Sequence, residues 1–456
     1  MHQDLRVFLS DFEKKYPGDV LRIKETLSTA HESAELIFEL DRQKRYPVVY
    51  FESIEGNPIP VVCNILASRQ RIAHAFGVEE SELASKYAEQ KKFSFKPVVK
   101  ENPPFLHKVF KGNDVDLNSL PIFRHSPIDS APYVTGGMAI ALDPETGAET
   151  CGYHRMELKG KNKMGISLHS RKRMWEYLRR SEAKNENLKL AVVFGIHPLI
   201  TLGSGTIVPY GQGKYSPIGG FMGEPMEVAT CPGSDIPIPY WSEIVILGEI
   251  IANLHEKEGP FAEFTGFSCY RSTENVFVAE AVYMRENPVF QSIIGGMSAE
   301  HTMILGVPRE GDLLRVLKEK LPMVPGIHVP YSSCGFFHCY ISMKKTAEGQ
   351  PLQAILNAFA LDHNFKFVVV VDDDVDVTDE SQVLWSMATR MQASRDVVIL
   401  PQEIGMGCTL DPSSDELSRS SKMGIDATQP LSGFSPRTPK DDAARARMRE
   451  LLKKYF

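Results

Sequence analysis

Apolar residues recur along this chain in more than one rhythm. Leu5, Phe8, Leu9 and Phe12 fall at helical spacing and predict a first helix with one buried face. Residues 34–42 repeat that spacing. Pro47–Phe51 and Pro60–Asn64 are short β-branched runs joined by Glu55-Gly-Asn-Pro58, a turn sequence, so they predict two strands. Ser68 then opens a helix that Gly77 ends. Residues 1–100 thus predict a small α/β region, and Glu101-Asn-Pro-Pro104 predicts a linker.

From 105 to 305 the rhythm shortens. Thr135-Gly-Gly137 and Pro144-Glu-Thr-Gly147 mark turns at strand spacing, as in a β-barrel or sandwich. Leu190–Phe194 predicts a strand ending at Gly195. Trp241–His255 predicts a helix. Gly203-Ser-Gly-Thr206 has the closely spaced glycines of a phosphate-cradling turn. From 310 to 456 helix and strand signals alternate again. Phe365–Val371 predicts a buried strand, Thr378-Asp379 the start of a helix reaching Met391, and Thr438 the cap of a terminal helix running to Leu452.

Composition narrows the class. The chain has 456 residues, 43% hydrophobic and 24% charged, with a net charge of −7. That is an ordinary soluble globular balance, with no nucleic-acid footprint. Seven cysteines without a Cys-x-x-Cys pair, and a start that lacks a signal-peptide pattern, predict reduced thiols in a cytoplasm. No apolar run approaches the ~18 residues of a membrane span.

Candidate chemistry gathers in Glu258-Gly-Pro-Phe-Ala-Glu263-Phe-Thr-Gly-Phe267. Two carboxylates share a Gly-Pro turn with three phenylalanines. Apolar neighbours disfavour a charged carboxylate, which is how a Glu becomes a proton donor near neutral pH. The plainer reading of such a turn in isolation is a solvated surface loop. A second acidic stretch, Asp372-Asp-Asp-Val-Asp376, follows a predicted strand. Acids there can hold Mg²⁺, or cap the next helix and face water.

Seven pieces occur in one order: PYVTGG (132–137), TCGYHR (150–155), LKGKNK (158–163), SEIVILGEI (242–250), EGPFAEFTG (258–266), VVVVDDDVDV (368–377) and SKMGIDAT (421–428). Together they resemble the UbiD-like decarboxylase family over nearly the whole chain. The resemblance implies an α/β protein with an N-terminal α/β region, a central flavin-binding split β-barrel, and a C-terminal α/β domain with a terminal oligomerisation helix. It implies reversible, non-oxidative decarboxylation of an aromatic, heteroaromatic or α,β-unsaturated acid through a covalent adduct with prenylated FMN. The implied partners are that carboxylic acid and CO₂, a flavin prenyltransferase as cofactor supplier, and further copies of the chain in a homodimer or higher homo-oligomer.

By motif position the family's catalytic arginine falls on Arg155 and its two acids on Glu258 and Glu263, with Glu263 in the proton donor's place. Cofactor contacts fall on Thr150, Tyr153, His154, Arg155, Ser167, Leu168, His169, Arg171, Lys172, Lys214 and Lys422. His301 and Arg309 resemble the pair that the furandicarboxylate-decarboxylating branch places near its substrate. One departure stands out. The family holds a divalent metal at the flavin phosphate with an Asn, a His and a Glu, and here the Asn and Glu positions carry Thr150 and Lys214. Neither suits a hard cation, so Lys214 and the basic run 171–173 are expected to meet the phosphate instead. Two other classes compete with this expectation. One is a metal-dependent hydrolase or transferase built on Asp372–Asp376. The other is a non-catalytic flavin-binding scaffold.

Overall fold

The longest strand of the protein lies where the apolar spacing predicts a helix. Ile244–His255 is β, the centre of a nine-stranded sheet. Ile244, Val245, Ile246, Leu247 and Ile250 are all buried, on both faces of the strand. Burial on both faces erases the two-residue alternation that marks a half-exposed strand, and a continuous apolar run then mimics a helix. What decides is pairing at a distance. Leu188–Phe194 flanks it antiparallel on one side and Asn275–Met284 on the other. The structure, a computed structural model, describes residues 2–168, 172–439 and 441–455.

The rest of that sheet runs in the order Tyr133–Val134, Met156–Leu158, Lys163–Ile166, Asn275–Met284, Ile244–His255, Leu188–Phe194, Met138–Leu142, Glu149–Tyr153, with Lys108–Lys111 also pairing Asn275–Met284. Its pairings are antiparallel and its two ends do not pair with each other, which makes a split barrel. Before it, Leu5–Lys15 is the expected helix, burying Leu5, Phe8, Leu9 and Phe12. Strands Val48–Phe51 and Val61–Cys63 pair antiparallel, and Arg69–Phe76 is capped by Gly77 in the left-handed region. Phe290–Gln291 returns from the barrel to pair with Val61–Cys63, tying the first region to the second.

No linker separates barrel from C-terminal region. The helix Ala299–Lys320 runs unbroken through 305–310. It leads to a five-stranded sheet ordered Gly326–His328, His338–Met343, Phe367–Asp372, Lys422–Ala427, Val397–Leu400. The helix after the acidic stretch is Glu380–Arg390, capped by Asp379. The terminal helix is Asp442–Leu452, and its cap is Asp441 rather than Thr438, because the Asp441 carboxylate accepts the Ala444 N–H. Every residue of that helix is exposed. Among the described residues, no helix is long and apolar enough to cross a membrane.

Gly203–Thr206 is not a phosphate-cradling turn. It closes the helix Pro198–Ser204, so it presents carbonyls rather than N–H groups. Gly203 is there for packing: a Cβ would come 2.8 Å from Ile218 Cγ1.

Candidate active site

Arg155 follows the strand Glu149–Tyr153, and its side chain reaches two acids from a single turn. Nε and Nη2 donate to the two oxygens of Glu258, each at 3.0 Å, a bidentate pair. Nη1 donates to Glu263 Oε1 in a short contact. Nη2 also donates to the Arg271 carbonyl at 2.8 Å. A guanidinium has five N–H donors. Among the described residues four are engaged, which leaves one proton on Nη1 for an incoming anion.

All three side chains are nearly inaccessible: Arg155 is 5% exposed, Glu258 0% and Glu263 6%. Burial pushes the guanidinium pKa down, and the two carboxylates more than reverse this, so the arginine stays charged. The group therefore sets one guanidinium against two carboxyl groups out of water. Gly165 makes room for it, since a Cβ there would meet Glu258 Cγ at 3.2 Å. Phe261 and Phe264 are buried, and the Arg155 guanidinium lies 5.1 Å from the Phe261 ring centre. Phe267 is 61% exposed, so the expected fence of three rings is a fence of two. The apolar surroundings are also only part of Glu263's environment, because its carboxylate faces Arg155.

Ser167 and Leu168 are brought to the same place. The Ser167 N–H donates to the Arg155 carbonyl and the Leu168 N–H to Thr273 Oγ1 at 2.7 Å. Tyr153 lies close by with its hydroxyl on Thr201 Oγ1 at 2.8 Å. His154 stands between Tyr153 and Arg155 in the chain. His301 meets Phe264 edge-on, with centroids 5.7 Å apart, and its Nδ1 lies 3.2 Å from the Gly296 carbonyl. Burial lowers the His301 pKa to about 4, so the ring is neutral. Arg309 lies two helical turns further on, over the Phe336 ring at 3.9 Å, and Phe336 packs on Phe264. Its Nε stands 2.9 Å from Asp362, a carboxylate that the sequence reading did not single out.

The other candidate contacts sit apart from the triad. Lys422 is buried on its strand and donates to the carbonyls of His363 and Phe365 at 2.6 and 2.8 Å. Exposed Lys172 lies within electrostatic reach of Arg309 and Asp362. His169 and Arg171 fall outside the described residues. Thr150 is buried on the strand Glu149–Tyr153. Lys214 is half-buried and donates to the carbonyls of Cys151 and Ser204 at 2.9 and 2.6 Å. Desolvation lowers its pKa, and Arg173 and Lys172 push in the same direction. A hydroxyl and an ammonium do not fit a divalent cation. Among the described residues, no group of three or more His, Cys, Asp or Glu is placed to hold a metal. An ammonium with carbonyls as its partners and cations as neighbours does fit an anionic group.

Family models match most of the chain. The three domains of 3-octaprenyl-4-hydroxybenzoate carboxy-lyase match in order: the N-terminal domain over residues 13–91, the Rift-related domain over 96–298 and the C-terminal domain over 302–427. The chain belongs to the UbiD family of carboxy-lyases. Two curated relatives are anhydromevalonate phosphate decarboxylases. That of Archaeoglobus fulgidus is 33% identical, over 83% of this chain and 84% of the relative. That of Methanothermobacter thermautotrophicus is 28% identical, over 93% and 97%. Among solved structures, the UbiD-class enzyme HmfF from Pelotomaculum thermopropionicum in complex with FMN superimposes with a TM-score of 0.89 at 31% identity, covering 97% of both chains. Vanillic acid decarboxylase of Sedimentibacter hydroxybenzoicus gives 0.85 at 27%, covering 99% of both.

The UbiD-family motifs located the triad itself. They did not locate the partners around it. The Arg271 carbonyl meets Arg155, Thr273 meets Leu168 and Asp362 meets Arg309, all across the fold, and no local spacing marks them. Glu300 is another case. It is fully buried, accepts the N–H groups of Asn64 and Leu66 at 2.7 and 2.9 Å, and burial raises its pKa to about 7. Its place as an acid just inside the Ser298-capped helix was the available signal.

Proposed function

We propose that this protein is a prenylated-FMN-dependent decarboxylase of an aromatic, heteroaromatic or α,β-unsaturated carboxylic acid. The observation that carries the reading is the buried Arg155 shared between Glu258 and Glu263, with one guanidinium proton left over. Prenylated FMN, when bound, supplies the electron sink that lets a carboxylate leave as CO₂. HmfF, described with FMN and in an evolved dimeric form with prFMN, supports that choice of cofactor. Lys214 would meet the flavin phosphate in place of a divalent metal, by giving up a carbonyl partner or through its third proton.

The chain's own residues do the rest. Arg155 docks the substrate carboxylate through its remaining Nη1 proton, while Glu258 fixes the guanidinium plane. A third carboxylate beside one guanidinium favours uptake of a proton. Glu263 carries that proton, and when CO₂ departs it delivers the proton to the carbon that bore the carboxylate. Its carboxylate then returns to Arg155. Phe261 and Phe264 keep water from the reacting carbon.

The substrate-facing residues are His301 and Arg309. The relatives' names add anhydromevalonate phosphate, an acid bearing a phosphate, to the ring dicarboxylates as candidates. In either case a second anionic group reaches Arg309 by competing with Asp362. The protein works in the cytoplasm as a homodimer or higher oligomer, with the exposed helix Asp442–Leu452 available to a second copy, and a flavin prenyltransferase supplies its cofactor. The metal-dependent hydrolase reading is not favoured, because Asp372 and Asp374 are engaged by Arg390 and Arg437.

The test is expression with and without a flavin prenyltransferase. The assay is CO₂ release from furan-2,5-dicarboxylate, vanillate, 3,4-dihydroxybenzoate and anhydromevalonate phosphate. Activity should appear with the prenylated cofactor alone. Full activity in a flavin-free preparation would remove the reading.

A further inference from the structure

The turn that carries Glu258 and Glu263 is held from outside by the segment 124–133. Three consecutive turn residues each meet it. The Ser130 N–H donates to the Pro260 carbonyl at 3.0 Å. The Tyr133 ring packs on the Phe261 ring, with centroids 4.7 Å apart. The Ala262 N–H donates to Asp129 Oδ1 at 2.8 Å. Of these contacts, the one made by Asp129 runs through a charged side chain.

Asp129 is fully buried. Its other oxygen, Oδ2, accepts the N–H groups of His125 and Ser126 at 3.1 and 2.9 Å. The carboxylate thus joins three amides from two segments. Among the described residues it has no ion pair, since the Arg124 guanidinium donates to the Asp129 backbone carbonyl instead. Burial raises its pKa, and the three N–H bonds partly offset this. The nearby Arg124 charge offsets it further, and a buried carboxyl group is costly unless its oxygens are hydrogen-bonded. Here it bridges two loops at one point, and one of those loops carries the chemistry.

We infer that Asp129 is a positioning residue for catalysis: it fixes the backbone at Ala262 and so sets where Glu263, the next residue, meets Arg155 and the substrate carbon. This rests on the reading of Glu263 as proton donor. Reacting groups must be placed within a fraction of an ångström, and a misplacement of about 1 Å can cost ~10²-fold. Asparagine is the informative substitution. It keeps the size and one carbonyl oxygen, but its NH₂ must face at least one of the three N–H donors.

The experiment compares wild type and Asp129→Asn, both loaded with prenylated FMN. Amide hydrogen exchange is read in the segment 260–266 and in the strand Ile244–His255, and kcat and KM are measured on the acid that wild type turns over. The expected result is faster exchange in 260–266 alone. With it, kcat should fall by ~10–10²-fold, KM should stay within about threefold, and bound flavin per chain should be unchanged. Unchanged exchange in 260–266 would overturn the inference, as would unchanged kcat despite local release. Faster exchange in both segments would make Asp129 a residue of general stability and would also overturn it. Asp129→Ser serves if the Asn variant does not accumulate, and failure of both to fold would count as the general-stability result. Glu263→Gln separates the two levels. Full activity in that variant removes the underlying reading, whereas an inactive Glu263→Gln beside a fully active Asp129→Asn removes this inference alone.

Discussion

Two nearly buried arginines of this protein each serve two carboxylates, in different surroundings. Arg155 holds Glu258 and Glu263, and Arg390 holds Asp372 and Asp374. Residue types and short contacts are alike, and both arginines are nearly inaccessible. The difference lies in what surrounds the acids. Glu258 and Glu263 are 0% and 6% exposed and share their single guanidinium under two phenylalanine rings. Asp374 is 37% exposed and has a second arginine, Arg437. Asp372 also takes the Gln429 N–H at 2.8 Å. Burial pushes the Asp374 pKa up, but the bonds from Arg390 and Arg437 outweigh it and hold the acid below its ordinary value. The first place sets two buried carboxyl groups against one guanidinium. The second sets Asp372 and Asp374 against Arg390 and Arg437 in a half-solvated place, although burial still raises the Asp372 pKa. A dry place with fewer cations than acids suits proton chemistry, whereas matched and half-solvated acids suit a structural role.

Removing Arg155 should produce the largest effect. Arg155→Ala leaves two buried carboxylates unpaired, and breaking a buried pair costs about 3–5 kcal/mol. Urea unfolding should show a loss of that order, and decarboxylation should vanish. Arg155→Lys keeps a charge without the bidentate fork, so it should recover part of the stability and none of the activity. An Arg155→Ala variant as stable as wild type would break the contrast between the two acid clusters.

A smaller effect tests how dry the catalytic turn is. His125 is 1% exposed and meets Phe261 edge-on, with centroids 6.4 Å apart. Burial lowers its pKa to about 3, with the nearby His301 pushing the same way. An unfolded histidine titrates near ~6.5. The unfolded state therefore binds more protons between those values, and stability rises with pH across that range. The contribution is complete above the unfolded pKa and is lost as pH falls from ~6.5 toward 3. His125→Gln should show a smaller drop in Tm between pH 7 and pH 5 than wild type. An equal drop would mean that water reaches this side of the turn.

The smallest effect belongs to the other acid cluster. Asp374→Asn should cost ~1 kcal/mol, since Asp374 is half-solvated and Asp372 still holds the buried Arg390, and should leave decarboxylation unchanged. A large loss of activity would return Asp372–Asp376 to the list of chemical sites.

The triad was legible because Arg155, Glu258 and Glu263 sit in short, specific stretches. Local spacing also gave the helix Leu5–Lys15 and the strands Val48–Phe51 and Val61–Cys63. Ile244–His255 was misread because a strand buried on both faces has no alternation, and its partners lie twenty or more residues away in either direction. Gly203 was misread because packing against Ile218 and phosphate approach select the same residue. Lys422 gave no sign of being buried among carbonyls, and Asp129 carried no mark of its bond to Ala262. In each case a partner distant in sequence decided the role.

The central claim is that Glu263 delivers the proton that replaces CO₂. Glu263→Gln, loaded with prenylated FMN, should retain its flavin. In D₂O it should lose both decarboxylation and deuterium incorporation at the carbon that bore the carboxylate. General acid catalysis is typically worth ~10²–10⁴-fold, and a loss in that range is the predicted result. Activity within about tenfold of wild type, with deuterium still entering the product, would contradict it.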